Sequence, residues 1–222
     1  MPSIAGRVPT WSRWRRWVAG SWVAAAGVAA AGAQTVPDVI RVEEDWLLEL
    51  VDPSADLEAP QFHTVTCATD DPEQPFGQVS WNYRELPSFE SGGVQLQMWD
   101  GTDYVRRRNV GSTPLSAEAE VISWTQVLEV SGSTLLFGVL NGHGDTWGDF
   151  GGEMMTVSYN MGVSNLNRYS PDLSVEGSWV TYGANRVMKV VLLRVRYYGV
   201  DGLLAEDGNV RVVCDFSALG DN

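Results

Sequence analysis

The sequence predicts an all-β protein, built as an antiparallel β-sandwich of jelly-roll type. Short apolar runs recur along the chain, and clusters of Gly, Pro, Asp and Asn separate them. No stretch of ten residues keeps the spacing of three and four between apolar residues that a helix shows. Two of the runs meet at Ser131-Gly132, a linker of the length that tight hairpins use. About ten to twelve strands without an internal repeat favour two packed sheets over other β architectures.

Each predicted strand is a run rich in β-branched and aromatic residues, bounded by turn residues. In chain order the predicted strands cover 39–51, 61–69, 77–85, 93–99, 120–130, 133–141, 153–160, 178–182, 186–198 and 209–216. The run RVMKVVLLRVRYY at 186–198 begins with apolar residues on both faces, which predicts a central strand covered on both sides. One short helix is predicted near SPDLSVEG, residues 170–177.

The first 33 residues have the features of a cleaved secretory signal peptide. Four arginines and no acidic residue precede an uncharged run rich in Ala, Val, Gly and Trp, and Ala31-Gly32-Ala33 then matches a signal-peptidase site. An uncleaved membrane anchor is the alternative, but the apolar run from Trp17 to Ala33 is short for a bilayer span of about 20 residues. We therefore expect a single domain at 34–222 that is secreted, or held in the periplasm or cell envelope.

The mature chain is predicted to be strongly acidic. Cleavage removes four of the 15 basic residues and none of the 28 acidic ones, so the net charge falls from −13 to about −17. Such a chain repels nucleic acid and anionic membrane surfaces, so the expected partner is an extracellular glycan or an envelope protein. The one basic cluster left, Arg106-Arg107-Arg108, is interpreted as a solvated strand end that faces nearby carboxylates.

The two cysteines, Cys67 and Cys214, are predicted to form a disulfide. An even number of cysteines in an exported protein is more often bridged than free. The two residues lie towards opposite ends of the mature chain, and a bridge could join them if the first or second strand lay beside the last. Two buried free thiols are the alternative.

Two neighbouring predicted strands carry a candidate ligand-binding face. Alternation in VSWNYRE and VQLQMW separates apolar side chains from polar and aromatic ones. If the strands pair, five side chains share one surface: Asn82, Arg84, Gln95, Gln97 and Trp99. Amide and guanidinium groups offer planar hydrogen-bonding arrays, and an indole ring stacks on the C–H side of a sugar. This predicts carbohydrate binding, with a plain solvent-facing sheet surface as the alternative.

The glycine-rich segment NGHGDTWGDFGG, residues 141–152, follows an apolar strand and is interpreted as a structural turn. Trp147 and Phe150 are predicted to cover one end of the sandwich, while the glycines relieve backbone crowding. The segment lacks the spacing of an EF-hand loop, so no cofactor is expected, with calcium as the alternative. Three side chains are the weak candidates for such a metal site: His143, Asp145 and Asp149.

An enzymatic function is the less favoured alternative. In EEDWLLE three carboxylates share one face of the predicted strand: Glu43, Asp45 and Glu49. Retaining sandwich glycosidases need two carboxyl groups about 5 to 5.5 Å apart, but Leu47 occupies the intermediate position here. No G-x-S-x-G motif, phosphate-binding loop or dinucleotide fingerprint occurs. A glycoside hydrolase-like enzyme and a structural envelope protein are therefore the alternatives to a non-catalytic binding module.

The segment from about residue 120 to 215 carries a series of short motifs in a fixed order. A strand ends in Asn141-Gly142, Thr-Trp-Gly and Phe-Gly follow within the same loop, and Asn185-Arg186-Val187 opens a long late strand. In these motifs the chain resembles uncharacterised secreted β-sandwich proteins of planctomycete-type bacteria. The resemblance implies a sandwich that is lectin-like, or concanavalin A-like, in general look. It brings no activity with it.

Overall fold

The computed structural model describes residues 36–51, 60–71, 73–83, 93–111, 113–115 and 119–216. Within these ranges the chain forms thirteen strands, one short α-helix and two 3-10 turns. The strands make two antiparallel sheets, which pack against each other through their apolar faces. The predicted all-β sandwich is therefore confirmed. The predicted signal peptide lies outside the described residues, as does Arg84.

The strands differ widely in length, and the longest belong to one sheet. In chain order they are β1 (Arg41–Leu50), β2 (Gln61–Cys67), β3 (Phe76–Tyr83), β4 (Gly93–Asp100), β5 (Asp103–Val110), β6 (Glu120–Ser131), β7 (Thr134–Gly144), β8 (Gly148–Phe150), β9 (Thr156–Asn160), β10 (Trp179–Tyr182), β11 (Val187–Gly199), β12 (Gly202–Asp207) and β13 (Arg211–Asp215). The helix α1 covers Pro171–Glu176, within the predicted segment, and the 3-10 turns cover Glu153–Met155 and Ala184–Arg186. No helix of the described ranges has the length and apolar character needed to cross a membrane.

The larger sheet has eight strands and the smaller has five. The larger runs β12-β11-β1-β6-β7-β8, with β13 also beside β11 and β9 also beside β7. The smaller runs β10-β2-β3-β4-β5. Strand β11 has neighbours on both edges, as predicted for a central strand, but its Leu193 is 36% exposed, so its second face is not covered. The strands β5, β8 and β12 were not predicted, because charged, glycine-rich or short runs do not give the alternating pattern.

Four aromatic rings form the centre of the core. Trp46 on β1 and Trp124 on β6 are register partners, with ring centroids 6.2 Å apart. Phe62 on β2 and Trp81 on β3 pair in the same way, with centroids 5.8 Å apart. Trp81 and Trp124 then meet across the two sheets at 4.5 Å. All four are at most 2% exposed, and a buried ring of this size is worth about 3 to 5 kcal/mol relative to alanine.

A chain of polar side chains crosses the core beside these rings. Glu44 on β1 faces inward and is 0% exposed. Its carboxylate accepts hydrogen bonds from Thr66 Oγ1 at 2.7 Å, Tyr169 Oη at 2.7 Å and Trp46 Nε1 at 3.0 Å. Thr66 in turn accepts one from Gln126 Nε2 at 2.6 Å. Burial raises the pKa of the Glu44 carboxyl, and the hydrogen bonds from its neighbours only partly oppose that shift.

The predicted disulfide is absent from the structure, in which the two cysteines lie on strands of different sheets. Cys67 and Cys214 are both free thiols. Cys67 ends β2 of the smaller sheet, where it packs with Val65 and Phe76. Cys214 lies on β13 of the larger sheet, opposite Val190 of β11. The last strand therefore pairs with β11 and not with β1 or β2, so the pairing on which the bridge depended does not form.

Candidate functional site

The outer surface of the smaller sheet carries a row of neutral polar side chains, which we call the amide row. It runs across four adjacent strands, from β2 through β3 and β4 to β5. Strand register makes its members neighbours: His63, Ser80, Gln78, Gln97, Gln95 and Asn109. Their strand neighbours Val79 and Leu96 belong to the core, so alternation points the row away from it. Alternation within each strand thus decides which side chains point outward, and strand pairing brings them together into one row.

One end of the amide row is centred on His63. Its Nδ1 lies 2.6 Å from Ser80 Oγ and 3.1 Å from Gln78 Nε2. Because an amide nitrogen only donates, Nδ1 is the acceptor and the ring proton sits on Nε2. Burial lowers the pKa of His63 to about 4, so the ring is neutral at physiological pH. Trp179 on β10 lies against this ring, with centroids 5.1 Å apart.

The other end consists of amide groups that donate to one another in sequence. Gln78 Nε2 donates to Gln97 Oε1 at 3.3 Å, and Gln97 Nε2 donates to Gln95 Oε1. Gln95 Nε2 then donates to Asn109 Oδ1 at 2.8 Å on the edge strand β5. The side chains of Gln78 and Gln97 are each 9% exposed, whereas Gln95 is 1% exposed. The hydrogen bonds therefore fix the rotamers of a nearly buried floor.

Aromatic rings flank this floor on both sides. Trp99 stacks on Phe76 with centroids 6.1 Å apart and meets Tyr104 at 5.2 Å. The Trp99 indole also donates to Gln97 Oε1 at 2.9 Å, which links the rings to the amide row. Tyr104, beside Trp99, is 43% exposed. Trp179, at the His63 end of the row, is 38% exposed. The surface thus combines the neutral amide row with exposed aromatic side chains, and Arg107 lies beside the row on the edge strand, opposite Gln97.

Asn82, predicted to share this face, is instead a buried structural residue. Its φ of 52° is left-handed, and the β3–β4 pairing is irregular between Ser80 and Tyr83, so the alternation breaks at this point. The Asn82 amide donates to Pro60 O at 2.8 Å and accepts from Leu115 N at 3.1 Å. The side chain is 4% exposed and ties two connecting segments to β3. Both of these hydrogen bonds go to residues outside the amide row.

The structure brings Gln95, Gln97 and Trp99 together as predicted, and it adds residues that the sequence reasoning missed. The added residues come from β2, β3, β5 and β10: His63, Gln78, Ser80, Asn109, Tyr104 and Trp179. Alternation within QFHTVTC could have placed His63 on this face, if the β2–β3 pairing had been assumed. Nothing local could have placed Trp179, which pairs with His63 from far along the chain.

The glycine-rich segment forms the tip of β7 and the short strand β8, joined by a turn at 145–147. Trp147 and Phe150 pack against the main core, as predicted. Phe150 meets Trp81 edge-on with centroids 5.8 Å apart, and the Trp147 indole donates to Thr113 O at 2.6 Å. Gly142 lies under the Phe150 ring, and a Cβ there would come within 2.1 Å of it. The segment is therefore shaped by close contacts of its aromatic rings.

The three weak metal candidates of this segment lie on its exposed side. His143 Nδ1 and Asp149 Oδ1 are 2.8 Å apart, with side chains 66% and 93% exposed. Asp145 is also exposed. Among the residues that the structure describes, no three or more His, Cys, Asp or Glu side chains cluster in a way that could hold a metal ion.

The carboxylates considered for an enzyme lie on the outer face of the larger sheet: Glu43, Asp45 and Glu49. Arg196 bridges two of them, at 3.0 Å from Glu43 and 2.8 Å from Asp45. Arg194 adds a second contact to Asp45 at 2.6 Å. Because β1 and β11 are neighbours, these contacts are cross-strand ion pairs that link the two strands.

Comparison with known proteins gives no relative for this fold or this site. Neither a family model, nor a curated protein sequence, nor a solved structure matches the chain. The resemblance of residues 120–215 to secreted planctomycete-type proteins therefore stays a prediction. The function has to be inferred from the side chains of the two sheet faces.

Proposed function

We propose that the protein is an exported, non-catalytic module that binds carbohydrate on the outer face of its smaller sheet. The observation that carries the proposal is the uncharged amide row between exposed aromatic rings. Sugar hydroxyls both donate and accept hydrogen bonds, and amide groups and a neutral imidazole offer both functions. Trp179 and Tyr104 present exposed ring faces, on which the C–H side of a sugar can stack.

The dimensions of the face suit a chain of sugars. From β10 to β5 there are four interstrand steps, and at about 4.8 Å each they span roughly 19 Å. Trp179 stands on the first of these strands, and Tyr104 stands on the last. A ligand that contacts both rings must therefore extend over several sugar units.

Hydrogen bonds within the amide row prepare it for binding. Gln95 and Gln97 are each held by a neighbour in the row, so their rotamers are fixed before a ligand arrives. Immobilising a long polar side chain on binding costs about 0.5 to 1.5 kcal/mol, and a fixed row avoids that loss. The floor is therefore suited to rigid recognition, which favours binding without large rearrangement.

Export and the finer fold type are part of the same proposal. Cleavage after Ala33 would deliver the domain to a compartment where extracellular glycans are the available polymers. A jelly-roll or concanavalin A-like connectivity is proposed with it, and the two antiparallel sheets are consistent with that type.

A glycan array probed with the mature protein tests the proposal. We expect binding to neutral oligosaccharides, with Kd values weakened at least tenfold by Trp179→Ala and by Tyr104→Ala, since stacked aromatic rings contribute strongly to such contacts. Tyr159→Ala is the matched control, because Tyr159 is 44% exposed on β9 of the other sheet. Its affinity should equal that of the unmodified protein.

Two results would contradict the proposal. One is an array with no binding to any neutral glycan. The other is binding that Trp179→Ala and Tyr104→Ala leave unchanged. A release of reducing sugar that Glu43→Gln and Asp45→Asn abolish would favour the enzyme alternative instead.

A further inference from the structure

A cavity lies where edge strands of the two sheets approach each other. Strand β5 is the last strand of the smaller sheet, and β9 joins the larger sheet only through β7. The cavity has a volume of about 390 Å³ and is lined by Arg106, Arg107, Arg108, Thr156, Val157 and Ser158. Three of the 15 Lys and Arg residues of this acidic chain thus line one cavity, and no described Asp or Glu is among the lining residues.

Strand register divides the three arginines between the two faces of β5. Arg107 lies opposite Gln97 and shares the outer face with the amide row. Arg106 and Arg108 alternate with it and lie opposite core residues of β4, so they point towards the opening between the sheets. Arg106 and Arg108 therefore line the cavity from the side of β5 that faces away from the amide row, and the inference goes beyond the proposed function.

Arg108 is held by neutral acceptors, which differs from the carboxylate contacts expected from the sequence. Its Nη1 donates to the backbone carbonyls of Glu153 and Thr156, both at 3.3 Å. Its Nη2 lies 3.7 Å from Met154 Sδ. None of these groups neutralises the guanidinium, so its positive charge stays available to a ligand. Arg106 beside it is exposed.

We propose that this cavity binds a sulfate or phosphate ester group of an anionic ligand. A guanidinium presents donors in a planar fork that matches the oxygens of such groups, and Arg106 and Arg108 both line this cavity from the same face of β5. Ser158 of β9 lines the same cavity. The net negative charge of the chain does not prevent this, because at physiological salt charges more than about 8 Å away are largely screened.

Calorimetric titration at constant ionic strength tests the site with three probes: sodium sulfate, sodium phosphate, and a sulfated oligosaccharide compared with its desulfated form. We expect oxyanion binding that Arg106→Gln and Arg108→Gln each weaken about tenfold, as loss of one charge-assisted hydrogen bond would. Arg168→Gln is the matched control, because it removes the same charge from an exposed ion pair with Asp70 elsewhere on the surface. It should leave the affinity unchanged.

The probes also distinguish a sulfated ligand from a phosphorylated one. Tighter binding of the sulfated oligosaccharide than of phosphate indicates a sulfated polymer. Tighter binding of phosphate indicates a phosphorylated ligand. Arg106→Gln keeps the test valid if Arg108→Gln does not fold, because Arg106 is exposed. Equal weakening by Arg168→Gln would mean general attraction and would overturn the proposal. So would an affinity that neither cavity variant changes, in which case the arginines only keep the edge strand from pairing with another chain.

Discussion

The indole of Trp147 stacks on that of Trp81, with ring centroids 6.1 Å apart and planes 21° apart. Trp147 belongs to the glycine-rich turn, whereas Trp81 belongs to the smaller sheet and is 0% exposed. The contact therefore joins the end of the larger sheet to the centre of the core. It gives the turn a packing role that can be measured.

We expect Trp147→Ala to lower the free energy of unfolding by about 2 to 3 kcal/mol, less than for a fully buried ring, because Trp147 is only half-buried. Asp145→Asn and Asp149→Asn are the controls, and each should change it by under about 0.5 kcal/mol. Urea denaturation followed by tryptophan fluorescence measures the difference. A calcium-dependent rise in Tm that either aspartate variant abolishes would show an ion site instead.

Gly142→Ala should destabilise the protein by about 1 to 3 kcal/mol, because the new Cβ would lie 2.1 Å from the Phe150 ring and would force that ring to move. Gly111→Ala is the control, since a Cβ there meets nothing within 4 Å and the residue is exposed. The midpoints of thermal unfolding compare the two. Equal midpoints for both variants would mean that Phe150 does not pack over Gly142 in solution.

The buried Glu44 predicts a pH dependence of stability. Burial raises the pKa of Glu44 in the folded state above its ordinary value of 4.5. As the pH rises above 4.5, the carboxyl of the unfolded chain loses its proton first, so the free energy of unfolding falls. The contribution of Glu44 is therefore most favourable below that pH, and it declines until the folded carboxyl also ionises. Glu44→Gln should flatten the decline in unfolding free energy between acidic and neutral pH, as measured by urea titrations across that range.

Glu153→Gln provides the comparison for that experiment, because Glu153 is exposed on a short 3-10 turn. Its pH profile should follow that of the unmodified protein. A Glu44→Gln profile that also follows it would mean that the buried carboxyl is not linked to stability in this way.

The two thiols should differ in reactivity. Burial raises the pKa of Cys67 to about 12, with the charges of Glu44 and Glu176 adding to the shift. Cys214 is half-buried, and its pKa is raised mainly by that burial. Since the thiolate is the reactive form, we expect a thiol reagent at neutral pH to label Cys214 first and Cys67 only after unfolding.

Mass spectrometry of the labelled protein measures this order, and Cys214→Ser supplies a form whose only thiol is Cys67. Native protein recovered from the cell envelope should carry two labels after denaturation without reductant. Protein that takes up no label under those conditions would show a bridged pair and would contradict the strand arrangement described above.

Local pattern was enough to predict most strands and the faces of some residues. In RVEEDWLLEL, period-two alternation puts Glu43 and Asp45 on one face of β1, as predicted. It puts Glu44 and Trp46 on the opposite face, in the core. In GVQLQMWD it places Gln95 and Gln97 on the face opposite Leu96. The reason is that the direction of a side chain in a regular strand depends only on its position in that strand.

The amide row shows where such reasoning stops. Asn82 does not lie on the predicted face, because its own left-handed backbone conformation interrupts the alternation of β3. Its side chain instead bonds Pro60 and Leu115, which belong to other segments of the chain. Cys67 and Cys214 were assigned to neighbouring strands that the fold places in different sheets. In both cases the error concerns which segments meet, and not the character of each segment.

By itself, the sequence determined the all-β class, most strand positions and the acidic charge, because each depends on composition or on short-range periodicity. Only the tertiary structure decided that Trp179 lies against His63, that Arg106 and Arg108 line a cavity with Ser158, and that the cysteines stay apart. Strands pair in the arrangement that buries the apolar faces of all of them together. Which distant residues become neighbours therefore depends on the whole chain and cannot be read from a local pattern.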